Sequence, residues 1–265
     1  MTPEELVNAA EKTGLSAIAL TDHDSVEGVD LLMAACQKNS LRGIPGVEIS
    51  TDIQKGSMHI LGYFINHHHP ELENHLANIV AGRVTRNIKM IKRLNSMGLF
   101  ITIDEVKSFA GGGNVGRLHF AQALITRGYV KTRREAFERF LANGRPGYAN
   151  RVRLSPEEGI SMINEAKGLA VLAHPFTLGL GKAGLKKVVG TLADAGLKGI
   201  EVYYPNHKPK QISEYLALAE HYNLEVTGGT DFHGSAMPET HIGIGYGSLN
   251  VPDAVLEKLD ALRKQ

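Results

Sequence analysis

Short apolar runs alternate with longer stretches of helical spacing over most of the chain, and that alternation predicts its elements. Thr2-Pro3-Glu4-Glu5 supplies a capping Thr, Pro at the first helical position and Glu at the third, ahead of Leu6, Val7 and Ala10 at helical intervals. A helix therefore opens the chain and ends at Gly14. Ser16 to Leu20 reads as a buried parallel strand, followed by a helix from Val26 to Lys38 and strands at Gly46 to Ser50 and Met58 to Phe64. From His67 to about Pro156 the strand signal fades. Leu76, Ile79, Val80, Ile88, Ile91 and Leu94 recur at helical intervals among Arg and Lys, and helices follow at Ile103 to Phe109, Leu118 to Thr126 and Arg134 to Leu141. The alternation then returns, with helices at Pro156 to Ala166, Leu185 to Ala195, Ile212 to His221 and Ala254 to Arg263. Strands between them are expected at Leu169 to Ala173, Gly199 to Tyr203 and Leu224 to Thr227. Parallel strands crossed by helices imply an α/β sheet or barrel formed by 1–66 and 156–265, with 67–155 as an inserted helical lobe. The site of such a fold lies at the C-terminal ends of its strands.

The polar residues of interest follow the apolar runs. Leu20 leads into Thr21-Asp22-His23-Asp24, Val47 into Glu48, Ala173 into His174, and Thr227 into Gly228-Gly229-Thr230-Asp231-Phe232-His233, while His59 lies within a strand. All converge on one rim. One His beside a strand is more often a hydrogen-bonded rim residue than a ligand, Glu48 could serve an ion pair, and Asp22 or Asp24 could cap the next helix. Four strand ends bearing His, Glu or Asp are harder to explain structurally, because buried charge is costly unless paired or metal-bound. Imidazole and carboxylate without sulfur suit Mn, Zn or Fe(II), so the pattern points to a metal hydrolase.

Composition narrows the setting. The 265 residues carry 29 Lys+Arg against 28 Asp+Glu, a formal charge of +1, so no overall field advertises a nucleic-acid or membrane partner, and duplex DNA is not expected. Any anion site must be local. One cysteine, Cys36, excludes an intramolecular disulfide framework and a thiolate metal cluster, which suits the cytoplasm. No run approaches the ~18 apolar residues of a membrane span, and no signal-peptide pattern is expected at the N-terminus.

The ordered stretches Thr21-Asp22-His23-Asp24, Pro45-Gly46-Val47-Glu48-Ile49-Ser50, His59-Ile60-Leu61-Gly62, Ala173-His174-Pro175 and Gly229-Thr230-Asp231-Phe232-His233 resemble the polymerase and histidinol phosphatase (PHP) superfamily of metal-dependent phosphoesterases. Within it, Gly116-Arg117-Leu118-His119 in the helical insertion resembles the branch that cleaves nucleoside 3′,5′-bisphosphates and trims short 5′-phosphorylated RNA. The resemblance implies a distorted (β/α)7 barrel holding up to three divalent metals, Mn first among them. Glu48, His59 and His174 would surround one metal, Glu48 would bridge to a second that Asp231 also binds, and His23 and His233 would serve a third. The family pattern begins with a strand ending in His-x-His, soon followed by Asp. That strand has no counterpart ahead of the opening helix, so the barrel is expected to lack its first strand and only the Glu48/His59/His174 site to be fully provisioned. A misplaced start or a shortened chain is the expected cause, with a natural variant as the alternative.

The chemistry implied is attack on phosphorus by a metal-bound hydroxide, with clustered cations offsetting the charge of ester and nucleophile. Arg117 would fork onto phosphate oxygens, His119 would protonate the leaving oxygen, and Asp22 is the third catalytic candidate. Arg83 and Arg86, at i and i+3 with Asn87 beside them, form a candidate second anion clamp or else a solvated helix face. Tyr203, Tyr204 and His207 follow a strand end and are candidates to stack on a base or contact phosphate. His67-His68-His69 resembles a metal tract but is expected to be a loop, because consecutive side chains do not all point one way. Gly111-Gly112-Gly113 lacks the Lys and Ser/Thr of a phosphate loop and reads as a flexible connection. The substrate expected is a nucleotide or short oligoribonucleotide. A histidinol-phosphate phosphatase and a catalytically silent module that binds a protein partner are the competing readings.

Overall fold

A computed structural model describes residues 1–53, 56–111, 113–150 and 154–264. The described elements run α1 (Pro3–Lys12), β1 (Ala17–Leu20), α2 (Val29–Lys38), β2 (Arg42–Thr51), β3 (Met58–Tyr63), α3 (Pro70–Ser96), α4 (Ile103–Ser108), α5 (Arg117–Thr126) and α6 (Arg133–Ala136). Then follow α7 (Pro156–Glu165), β4 (Leu169–Leu172), α8 (Lys182–Asp194), β5 (Gly199–Tyr203), α9 (Pro209–Tyr222), β6 (Glu225–Gly228) and α10 (Ala254–Arg263). Most helices start where a local signal sits. Thr2 with Glu5, Thr102 with Glu105 and Ser155 with Glu158 close reciprocal capping boxes on α1, α4 and α7. The expected helix at Val26 starts three residues late, at Val29, with Gly28 as its cap and no side-chain capping bond. Asp22 and Asp24 therefore do not cap it. Beyond α6 the helix continues over Phe137–Leu141 as a single π-helical stretch, a change of winding that apolar spacing does not report.

The chain divides into two compact units, 1–74 with 153–265, and 75–152. The first holds a curled six-stranded sheet in the order β1-β2-β3-β4-β5-β6. β1 pairs parallel with β2, and β4, β5 and β6 run parallel, but β3 is antiparallel to both β2 and β4. The expectation of uniformly parallel strands is corrected there. A short apolar run carries no direction, and the six residues between Thr51 and Met58 are too few for a crossover helix. The reversal matters for the site, because it sets the beginning of β3 beside the end of β2, pairing His59 with Ser50. α10 covers one face with Leu256, Leu259 and Leu262 against Ala17, Ala19, Ile44 and Val171. Its position is fixed further by an Arg42–Asp260 ion pair at 2.5 Å and a Ser16 hydroxyl that donates to Asp253. α1 and α2 pack through Val7, Ala10, Leu32 and Cys36.

The second unit contains most of α3 together with α4 to α6, around a core of Met90, Leu94, Ile101, Val106, Phe120 and Leu124. The opening of α3 belongs to the first unit, so this unit begins at His75. Among the described residues no helix is long and apolar enough to cross a membrane.

Candidate metal centre

Pleat and pairing bring the strand-end residues together. Beyond β1, Asp22 and His23 continue the parallel ladder: Glu48 N–H donates to Asp22 O, Asp24 N–H donates to Glu48 O, and His23 bridges to Glu48. On the other side Glu48 pairs with Leu61, which leaves His59, two residues away, on the same face as a diagonal neighbour. Ala173 N–H donates to His59 O, which sets His174 next in line.

The side chains converge on Glu48, which is only 4% exposed. Its Oε1 lies 2.7 Å from His59 Nδ1 and 3.1 Å from His174 Nε2, and its Oε2 lies 3.3 Å from His23 Nδ1. The His59 and His174 nitrogens are 3.3 Å apart. Burial pushes the Glu48 carboxyl up, but the charges of His23 and His59 and the hydrogen bonds from His174 and His59 outweigh it and hold its pKa well below the usual range. His174 shows the reciprocal effect: burial would lower it, and its bond to Glu48 reverses the shift, to about 9. Glu48 and His174 thus stabilise each other's charged forms, an arrangement a divalent cation can replace.

Outer contacts fix these rings. Ser57 Oγ is 3.1 Å from His59 Nε2, and Thr177 Oγ1 is 3.1 Å from His174 Nδ1 while donating to Ser57 O. Two supports come from β5 and the residue that follows it. Glu201 accepts the His174 backbone N–H at 2.7 Å, and the Tyr204 hydroxyl donates to Asp231 Oδ2 at 2.9 Å. Both recipients are held at positive φ, 25° for His174 and 50° for Asp231, conformations that cost a non-glycine residue energy unless neighbours impose them. Burial pushes the Glu201 carboxyl up to about 8. The signal for Glu201 was present, since a lone carboxylate in the middle of a buried strand calls for a partner.

Asp24 is fully buried at φ 54°, and its Oδ1 accepts Ser50 N–H at 2.8 Å, locking the end of β2. Burial raises the Asp22 carboxyl, with His233 opposing the shift. His233 Nδ1 lies 3.4 Å from Asp231 Oδ1, and the His23 and His233 rings are 6.0 Å apart. Tyr204, expected as a stacking surface, is buried with its hydroxyl committed to Asp231. His207 is buried against Phe176, Tyr204 and Tyr215, and its Nδ1–H donates to Val202 O at 2.8 Å.

The remaining expected residues lie in the second unit. Arg117 opens α5, with its guanidinium 5.6 Å from the Phe137 and Tyr148 rings. His119 Nδ1 accepts Gly116 N–H at 3.0 Å, so the neutral ring carries its proton on Nε2. Arg83 and Arg86 are buried rather than solvated, 7% and 4% exposed, and the Val115 carbonyl accepts from Arg86 and Asn87. Arg83, Asn87, Lys107 and Asn114 line a cavity of about 400 Å³ within this unit. Gly112, in the expected flexible connection, lies outside the described residues.

An α/β sheet whose rim gathers imidazoles around a buried carboxylate defines a metal-dependent hydrolase, and its donors fit divalent cations. The chain belongs to the PHP domain family, whose profile matches residues 1–236. It is 30% identical over 234 residues to a 3′,5′-nucleoside bisphosphate phosphatase of Chromobacterium violaceum, covering 88% of this chain and 82% of the relative. It is 32% identical over 235 residues to the 5′-3′ exoribonuclease Rnm of Salmonella typhimurium, covering 88% and 80%. A solved structure of a candidate metal-dependent phosphoesterase from Bifidobacterium adolescentis superposes with a TM-score of 0.85 at 30% identity, over 99% of this chain and 91% of that one.

Proposed function

We propose that this chain is a divalent-metal-dependent phosphoesterase acting on phosphate esters of nucleotides, either nucleoside 3′,5′-bisphosphates or short 5′-phosphorylated RNA. The observation that carries the reading is Glu48, buried and in contact with three imidazoles from three different chain segments. Glu48, His59 and His174 would hold one cation, Glu48 and Asp231 a second, and His23 with His233 a third. Bound cations would supply the positive charge that lets an anionic ester meet an anionic nucleophile. Manganese is the proposed ion, since mixed imidazole and carboxylate donors accept it, and the cytoplasm is the proposed compartment.

The chain's own residues divide the remaining work. Asp22, its carboxyl raised by burial, lies near Glu48 and His233 as the third catalytic candidate. Arg117 offers a guanidinium fork suited to two phosphate oxygens, and Arg83 and Arg86 add permanent positive charge on α3. His119 carries a proton on Nε2, because Nδ1 is occupied by Gly116 N–H, and that proton is the one to deliver to a leaving oxygen.

Phosphate release with manganese, measured side by side on adenosine 3′,5′-bisphosphate, a 5′-phosphorylated trinucleotide and histidinol phosphate, tests the reading. Turnover of either nucleotide substrate that falls on Arg117→Ala is expected. Turnover of histidinol phosphate alone would replace it with the amino-alcohol phosphatase reading, and manganese binding without turnover of any of the three would support a silent module.

A further inference from the structure

A second group of metal-ligand side chains lies in the first unit, outside the centre just described. Asp30 sits in the first turn of α2, and His67 and His68 lie in the turn between β3 and α3. His67 Nε2 is 2.8 Å and His68 Nε2 is 3.2 Å from the same oxygen, Asp30 Oδ1. The three consecutive side chains were not expected all to point one way; two of them, His67 and His68, converge because the turn is tightly folded: His69 N–H donates to Asn66 O, and His68 N–H lies 3.3 Å from Asn66 Oδ1. The two rings end 4.2 Å apart, centroid to centroid.

From this geometry we propose a second metal site, formed by Asp30, His67 and His68 and taking a borderline divalent transition ion, with zinc as the type. Two imidazole nitrogens and one carboxylate oxygen are the usual donors of a three-ligand zinc site that leaves a further position to water. Ligand atoms around one ion at ~2.1 Å stand about 3.0 to 3.4 Å apart; the two imidazole nitrogens here are 2.8 and 3.2 Å from Asp30 Oδ1, and all three ligand atoms lie within 4.8 Å of one another, so side-chain movement admits the ion. His68 also has a carboxylate on its far side, with Glu73 Oε1 3.9 Å from Nδ1, close to the carboxylate–imidazole–metal relay that orients metal-bound histidines. Asp30 and His68 are exposed, so an ion from solution has direct access. Bound there, the ion clips α2 to the turn from which α3 departs. None of these residues belongs to the Glu48 centre, so the two sites load separately.

The test is equilibrium dialysis of the full chain against zinc, with bound metal counted per chain for wild type, the His67→Ala/His68→Ala double variant and Asp30→Asn. Asp30→Asn keeps a hydrogen-bonding side chain of the same shape on an exposed helix turn, so it controls for folding. One ion fewer in each variant is expected, and the same deficit when the variants are combined with Glu48→Ala. Copper(II) added to the Glu48→Ala chain is expected to give an electron paramagnetic resonance spectrum with nitrogen coupling that the double variant lacks. Equal zinc counts in all three proteins, with circular dichroism unchanged, would overturn the site. So would a deficit that vanishes in the Glu48→Ala background.

Discussion

Two carboxylates each draw histidines to themselves, and their surroundings set them apart. Glu48 is buried, meets rings from three segments of the sheet rim, and sits among side chains that are braced in turn by Ser57, Thr177, Glu201 and Tyr204. Asp30 is exposed, and its two rings come from adjacent residues of one turn, with Glu73 behind His68. Low dielectric and outer bracing fix donors before a cation arrives, whereas an exposed group spends part of its binding free energy on ordering its ligands. The buried cluster is therefore suited to catalysis, and the surface cluster to holding parts of the fold together.

The largest break in that contrast is Glu48→Ala. It removes the shared anion from the imidazole set, and phosphate release at saturating manganese is expected to fall by about 10³-fold or more. Next comes Tyr204→Phe, which takes one hydrogen bond from Asp231 without opening a cavity. Metal affinity measured by calorimetry is expected to weaken about 10- to 100-fold, with the melting temperature nearly unchanged. An equal loss from Phe176→Leu, whose ring packs on Tyr204, would mean that packing rather than orientation carries the effect.

Glu201→Gln sharpens the comparison through pH. The Glu201 carboxyl is raised by burial to about 8 in the folded chain from an ordinary 4.5, so the native state binds its proton more tightly than the unfolded state. Between those values folding takes up a proton, and the contribution of this group to stability declines as pH rises. The melting temperature of the cation-free protein should therefore fall between about pH 5 and pH 8, and Gln, which keeps the acceptor for His174 N–H without a charge to bury, should flatten that slope. Identical slopes in the two proteins would assign the pH dependence elsewhere. The smallest effect is expected from Asp30→Asn, which should leave manganese-dependent phosphate release within about twofold of wild type, as surface changes away from a site generally do.

Much of this was legible in the sequence, for reasons that differ by element. Thr2 with Glu5 announced the first helix because a capping box is complete within four residues. Asp22, His23, Glu48, His174, Asp231 and His233 stood out because each follows an apolar run, and strand ends share a rim. The direction of β3 was not legible, since Met58 to Tyr63 reads the same in either sense, and only the pairing of His59 with Ser50 decides it. Glu201 was passed over and Tyr204 was expected to stack on a base or contact phosphate, because their work is done on His174 and Asp231, which no local spacing records. His67 and His68 were discounted because three consecutive side chains do not all point one way, which leaves room for two of them to converge in the tight turn they occupy.

The most direct measurement is manganese stoichiometry of the purified chain beside phosphate release from adenosine 3′,5′-bisphosphate, for wild type, Glu48→Ala and His174→Ala. Manganese bound by wild type, with both metal and turnover lost in the two variants, is the predicted result. Turnover that survives in either variant, or manganese held equally by all three proteins, would contradict the assignment of the Glu48 cluster as the catalytic metal centre.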